Sequence, residues 1–253
     1  MSDWLEPLRE ALDVASRPVS SFFRDDDAGW RDDRLLALLD LFAERGLPLD
    51  LAVIPAFLRP LLARELVRRA EAPGHRLHLH QHGRAHCNHE PEGRSCEFGP
   101  ARDRVAQLHD LERGRRRLER YLGGRVDPIF TPPWNRCTAT TGECLLELGI
   151  PVLSREWRAE PLGVPGLIEL PISVDWLARH KGRPLTRVEL GLALAAAATS
   201  TRPLGVMFHH AVMDDAELDA AAELLDLLAA HPQSRPQPMV ALALACKPVE
   251  APA

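Results

Sequence analysis

The chain has 253 residues, with 31 basic against 36 acidic side chains, a net charge of −5 and 45% apolar content. That length can bury a full core as one domain, as undivided α/β barrels of this size do. The charge balance argues against a polycationic nucleic-acid binder or a membrane-surface protein, and no stretch is apolar enough to span a bilayer. The N-terminal MSDWLEPLREALDVA alternates charges with apolar residues and has no signal-like apolar core, so a cytoplasmic protein is expected. Cys87, Cys96, Cys137, Cys144 and Cys246 show no CxxC spacing and read as reduced thiols. Cys87 and Cys96 flank a histidine-rich stretch and can extend a metal site, with small-residue packing the plainer reading.

In chain order, residues 3–14 predict an amphipathic helix with Trp4, Leu5, Leu8 and Leu12 on one side. A strand over 19–23 delivers Arg24-Asp25-Asp26-Asp27-Ala28-Gly29-Trp30, and Asp32 or Asp33 caps a helix over 35–45. A buried strand over 49–54 closes at Pro55 and is followed by a helix over 60–70. The third strand, 76–80, runs into His82-Gly83-Arg84-Ala85-His86, the centre of a stretch from His75 to His89 that holds six of the eleven histidines. The segment 87–99 is polar and without period, and Pro100 opens a long helix to Tyr121. Arg113, Arg115, Arg116 and Arg117 on that helix alternate with acids and lack aromatic neighbours, the pattern of a solvated face rather than a nucleic-acid patch.

A strand over 126–130 then opens into Thr131-Pro132-Pro133-Trp134-Asn135, followed by a helix over 140–148. Short strands over 152–154 and 167–172 lead to Asp175-Trp176, and Thr186 with Glu189 forms a capping box for a helix to about residue 199. A strand over 204–208 ends in His209-His210, Asp214 or Asp215 caps a helix to about residue 230, and 240–245 is expected to be a final strand. This alternation predicts an irregular (β/α) barrel of about seven parallel strands with outer helices. It would be a single domain over 1–253, with its core at about 19–245 and an N-terminal helix in 1–18. The chemically able residues fall at strand carboxyl ends, which share one rim in a barrel.

Three adjacent aspartates repel unless a cation offsets them, and a metal ion does so. His82 and His86 stand four apart, so even one helical turn would aim both imidazoles at one ion. A solvated histidine-rich loop and an acidic turn are the plain alternatives for each piece alone. One aspartate with two histidines leaves coordination positions open, as catalytic sites do. A second aspartate can then take a proton from water, and a histidine from another strand can protonate a leaving group. Along a strand neighbouring side chains face opposite ways, so all three aspartates need a bend to share a pocket, and Ala28-Gly29 offers one.

Taken together, these segments resemble the polysaccharide deacetylases of carbohydrate esterase family 4 over about residues 19–245, in the family's order. Asp25-Asp26-Asp27 looks like its first motif, an aspartate base followed by a metal-ligand aspartate. Either Asp25 or Asp26 can be the base. Because the pair should abut Ala28-Gly29, Asp26 is taken as base and Asp27 as ligand, with Asp25 a supporting acid paired to an arginine. His82-Gly83-Arg84-Ala85-His86 resembles the second motif, and Phe130 to Asn135 the third, a groove wall. Val174-Asp175-Trp176 resembles the fourth, and Val206 to His209 the fifth, whose histidine is the general acid.

The resemblance implies a divalent metal, zinc in the first instance, on Asp27, His82 and His86, with Asp26 and His209 catalytic. Pro133, Trp134, Asn135, Asp175, Trp176 and His210 form the candidate substrate-binding set. The expected activity is removal of an acetyl or similar acyl group from an N-acylated amino sugar or related small molecule or oligosaccharide, with no nucleic-acid or membrane partner. Thr131 stands where the family has an arginine that holds the base, and Arg24 or another arginine is the candidate replacement. That departure favours the alternative, a non-catalytic carbohydrate-binding or regulatory relative. A non-haem iron oxygenase also uses two histidines and a carboxylate but needs no adjacent aspartate. Segment 87–99 is expected to fold over the pocket mouth as a lid.

Overall fold

The structure is a computed structural model that describes residues 3–74, 76–180 and 182–245; His75 and Cys246 lie outside the described residues. Helix α1 (Glu6–Asp13), strand β1 (Val19–Ala28), helix α2 (Asp32–Glu44), β2 (Leu49–Val53), α3 (Pro60–Glu71) and β3 (Leu77–His82) come first. They are followed by α4 (Arg104–Leu122), β4 (Val126–Thr131), α5 (Ala139–Glu147) and the short strands β5 (Val152–Leu153), β6 (Ile168–Glu169) and β7 (Val174–Asp175). A small hairpin of β8 (Arg179–His180) and β9 (Arg183–Pro184) precedes α6 (Arg187–Ala198) and β10 (Leu204–Phe208). The described chain ends with α7 (Asp215–Ala230), β11 (Ser234–Pro236) and α8 (Met239–Ala245).

Nine strands make one sheet, eight of them in the order β6-β5-β4-β3-β2-β1-β10-β7, with β11 also paired to β1. Every pairing in it is parallel. The sheet curls into an open barrel with helices outside, the (β/α) architecture expected, with more strands than the seven anticipated. No helix of the described residues is long and apolar enough to cross a membrane.

Side-chain alternation sorts the residues of each strand. Phe23 on β1, Leu49, Leu51 and Val53 on β2, Leu79 on β3 and Val206 and Phe208 on β10 join one outer cluster with leucines of α1, α2, α3 and α7. Their neighbours turn the other way: Phe22, Ile129, Val152 and Met207 meet Met239, Leu242 and Ala243 of α8 inside the curl. The same inner face carries Arg24 and Asp26 on β1, Asp50 on β2, His78, His80 and His82 on β3, and Thr131 on β4. The apolar run 239–245 is therefore a buried helix and not the final strand that was expected. A short apolar run does not by its period distinguish the two. Pro238 ends the preceding extended segment, and the Met239 N–H donates to Asp50 Oδ2 at 3.0 Å, so a tertiary contact fixes the helix start.

Two boundaries also move. Asp103, not Pro100, starts α4, its carboxylate accepting from the Ala106 N–H at 2.8 Å. Strand β1 continues through all three aspartates to Ala28, because β10 and β2 pair with it on both sides as far as Asp25.

Candidate metal centre

The three aspartates are separated by the pleat and by a bulge. Asp25 faces outward and Asp26 inward, as alternation requires. Asp27 has φ of 70°, and the register between β1 and β2 shifts between Asp25 and Ala28. That left-handed residue turns Asp27 back toward the side Asp26 occupies, so the bend lies at Asp27 itself rather than only at Ala28-Gly29.

Asp27 Oδ1 lies 3.2 Å from His82 Nε2 and 3.3 Å from His86 Nε2. Donor atoms of all three lie within 4.8 Å of one another. The His82 Nδ1–H donates to the Thr131 carbonyl at 3.0 Å, which leaves Nε2 as the ring's free donor atom on the Asp27 side. One carboxylate and two imidazoles held this way suit a zinc-like divalent ion with positions left open. Burial works against the Asp27 charge, but the His82 hydrogen bond and the charges of His82, His209 and His86 overcome it and hold the carboxyl down at about 2. Burial likewise opposes protonation of His82, yet Asp27 and Asp26 leave it above its ordinary value.

The two histidines do not converge through a helical turn, as their spacing had suggested. Residues 83–86 are irregular, with φ of 55° at Gly83 and 52° at His86. A carboxylate holds this turn: Glu97, fully buried, accepts the backbone N–H groups of Arg84, Ala85 and His86 at 3.2, 2.8 and 3.2 Å. Only glycine fits at 83, since a Cβ there would lie 2.1 Å from Glu97 Oε2 and 2.6 Å from Pro133 Cγ. The segment expected to form a lid thus contributes a support for the metal loop through Glu97. Glu92 and Arg94 are exposed, and His89 pairs with Arg102 at 2.7 Å.

Asp26 is gripped by a cation from its own strand. Arg24 Nε and Nη2 donate to its two carboxylate oxygens at 2.8 and 2.9 Å, and both side chains are essentially without solvent contact. The guanidinium is held in turn by Ser154 Oγ at 2.8 Å and Asn135 Oδ1 at 2.7 Å. Burial would raise Asp26, but the Arg24 charge, with His82 and His209, leaves it below the usual carboxylate range. Arg24 thus makes the two-point contact to Asp26 that was expected of a replacement for Thr131. Thr131 bonds His80 instead, Oγ1 to Nε2 at 2.9 Å, and burial beside Arg24 pushes His80 down to about 3, a neutral ring.

Asp25 pairs not with an arginine but with His210. The His210 Nδ1–H donates to Asp25 Oδ2 at 2.6 Å and its Nε2–H to the Trp30 carbonyl at 2.8 Å, with both side chains fully buried. His210 has no ring nitrogen left for substrate, which corrects its place in the candidate binding set. Trp176 is corrected likewise: it is 3% exposed, packs at 5.2 Å on Phe208 and donates Nε1–H to Glu217 at 2.6 Å, a core residue. Asn135 turns its oxygen on Arg24, and Pro133 is buried against the metal loop.

His209 is half-buried and near enough for its charge to bear on Asp26, Asp27 and Asp175. Burial raises the Asp175 carboxyl, whose Oδ1 accepts from the Leu177 N–H at 3.0 Å. Trp134, half-buried, packs on His86 with centroids 4.3 Å apart, and Trp30 packs on it at 4.8 Å. Trp30, Ser154 and Glu97 carry no local sequence signal for these roles, because each makes its contact with an element remote in sequence.

No protein-family model and no curated protein matches the sequence. Solved structures do. One from Mycobacterium smegmatis described as a polysaccharide deacetylase aligns with a TM-score of 0.68 and 18% identity, over 93% of this chain and 95% of that one. A family 4 acetyl xylan esterase from Clostridium thermocellum, solved with a cobalt ion, gives 0.58 and 11%, covering 89% and 90%. A pseudoenzyme of family CE4 from Bacillus anthracis gives 0.59 and 10%, covering 90% and 66%.

Proposed function

Since the chain has the fold of the polysaccharide deacetylases of carbohydrate esterase family 4, we propose that it is a metal-dependent hydrolase removing an acetyl or similar acyl group from the nitrogen of an amino sugar or related small molecule. The observation that carries the reading is the buried two-point Arg24–Asp26 pair beside Asp27, His82 and His86. Asp27, His82 and His86 would hold a divalent ion, zinc by the donor set, which would supply Lewis acidity for the acyl oxygen and the attacking water.

Asp26, kept ionised and fixed in rotation by Arg24, accepts the proton of that water as its oxygen adds to the acyl carbon. His209 gives a proton to the nitrogen as the carbon–nitrogen bond breaks, so the products are a carboxylic acid and a free amine. Trp134 offers an apolar ring beside His86 for the acyl methyl or a sugar face. This reading treats residues 19–245 as one catalytic unit. It places the protein in the cytoplasm, in keeping with free thiols at Cys87, Cys96, Cys137 and Cys144.

The test is acid release from N-acetylated monosaccharides and oligosaccharides by zinc-loaded protein. His82→Ala should abolish release with the fold kept, and Asp26→Asn should lower it by roughly 10²–10⁴. The second reading, a non-catalytic binding or regulatory relative, rests on Thr131 in place of the usual arginine. Zinc-loaded protein that binds such sugars and hydrolyses none of them would establish it and overturn the first.

A further inference from the structure

A second set of metal-able side chains lies at the other end of the barrel's inner face. Asp50, His78 and Asp127 are each the second residue of their strands, β2, β3 and β4, at the amino ends and away from the rim. Asp50 and His78 are register partners, and their alternation with Leu49, Leu51, Leu77 and Leu79 points both inward. Donor atoms of the three residues lie within 4.8 Å of one another.

The group is incompletely satisfied. Asp50 is fully buried, and although its Oδ2 accepts from the Met239 N–H, its Oδ1 has no partner. A buried carboxylate oxygen without a partner is costly, and more so when charged. Arg24 sits opposite Asp50 in the register but directs its hydrogen bonds to Asp26, Ser154, Asn135 and Met207. His78 lies within 4.8 Å, but its Nδ1–H donates to Asp127 Oδ2 at 3.0 Å. The His78 and Asp127 side chains keep 28% and 24% exposure, so the group opens to solvent on one side and a small ion can enter.

We propose that Asp50, His78 and Asp127 form a second divalent-cation site, structural in role and independent of the first. Two carboxylates and one imidazole suit an ion between the hard manganese class and zinc, with water completing the shell. Binding displaces the proton shared by His78 and Asp127 and gives Asp50 Oδ1 the positive partner it lacks. Because Asp50 also holds the first residue of α8, the ion ties β2, β3 and β4 to the helix that packs on the barrel's inner face.

The test uses the full chain, stripped with chelator, dialysed against Zn²⁺ and assayed for bound metal. Wild type should hold two ions, His82→Ala one, Asp127→Asn one, and the double variant none. Added Zn²⁺ should raise the melting temperature of His82→Ala and leave that of the double variant unmoved. One ion in wild type and none in His82→Ala overturns the proposal, and that pair of measurements needs no change at Asp50, His78 or Asp127. Metal lost with Asp127→Asn but not with His82→Ala would instead overturn the rim site and leave this one standing.

Discussion

Arg24 brings a permanent charge into a site with no solvent contact, and the structure accounts for it with a carboxylate, a hydroxyl and an amide oxygen. Removing one partner of such a pair leaves the other charged and buried. Arg24→Met should therefore lower unfolding free energy by about 3–5 kcal/mol in urea titration and abolish acyl release. Arg24→Lys restores the charge without the fork and should recover most of the stability but little of the rate. Equal recovery of both would show that charge alone, not two-point orientation, is what Asp26 needs. On the outward side of the same strand, burial opposes charge on His210, but Asp25 and the Trp30 carbonyl push it from 6.5 up to about 9. A raised pKa stabilises the fold fully below the unfolded value and is lost on climbing through the folded one. The Asp25–His210 contribution, on the order of 3 kcal/mol, should thus be complete below about pH 6.5 and disappear by about pH 9. Melting curves from pH 6 to pH 10 should show a steeper decline for wild type than for His210→Gln, and parallel curves would contradict the assignment.

At the scale of elements, the metal loop is built from parts distant in sequence. Strand β3 brings in His82, the irregular turn 83–86 brings in His86, and Glu97 ties three consecutive N–H groups of that turn. A helical turn would have satisfied those N–H groups internally, whereas here a buried side chain does so. Glu97→Ala leaves them without acceptors and frees His86 to wander. Zinc affinity by competition with a chelating dye should fall about 10–100-fold, the size typical of losing a support behind a ligand, with the circular dichroism spectrum unchanged. Unaltered affinity would mean that Trp30 and Trp134, which pack on His86, suffice to hold it.

Across the whole molecule, the curled sheet divides into an apolar outer layer under helices and an inner face that is polar at both ends. On that inner face, α8 packs Met239, Leu242 and Ala243 against Phe22, Ile129, Val152 and Met207. Leu242→Ala should leave a cavity there and cost about 2–5 kcal/mol in denaturant midpoint analysis, as for other buried leucines. A loss below 0.5 kcal/mol would mean that the helix merely rests on the barrel mouth.

By itself the sequence determined the alternating strand and helix pattern, the parallel sheet that follows from it, and the residue types at the strand ends. These are local properties, written in hydrophobic period and in side-chain chemistry. Which charges would meet was decided only by the tertiary structure. Three adjacent aspartates look alike in a row, and the pleat and the Asp27 bulge send one to His210, one to Arg24 and one to the histidines. Trp176 and Trp134 likewise share a chemistry, yet one became core and the other lies beside His86. Residues 239–245 became a helix because Asp50, remote in sequence, accepts its first N–H, a bond that exists only once the strands are in register.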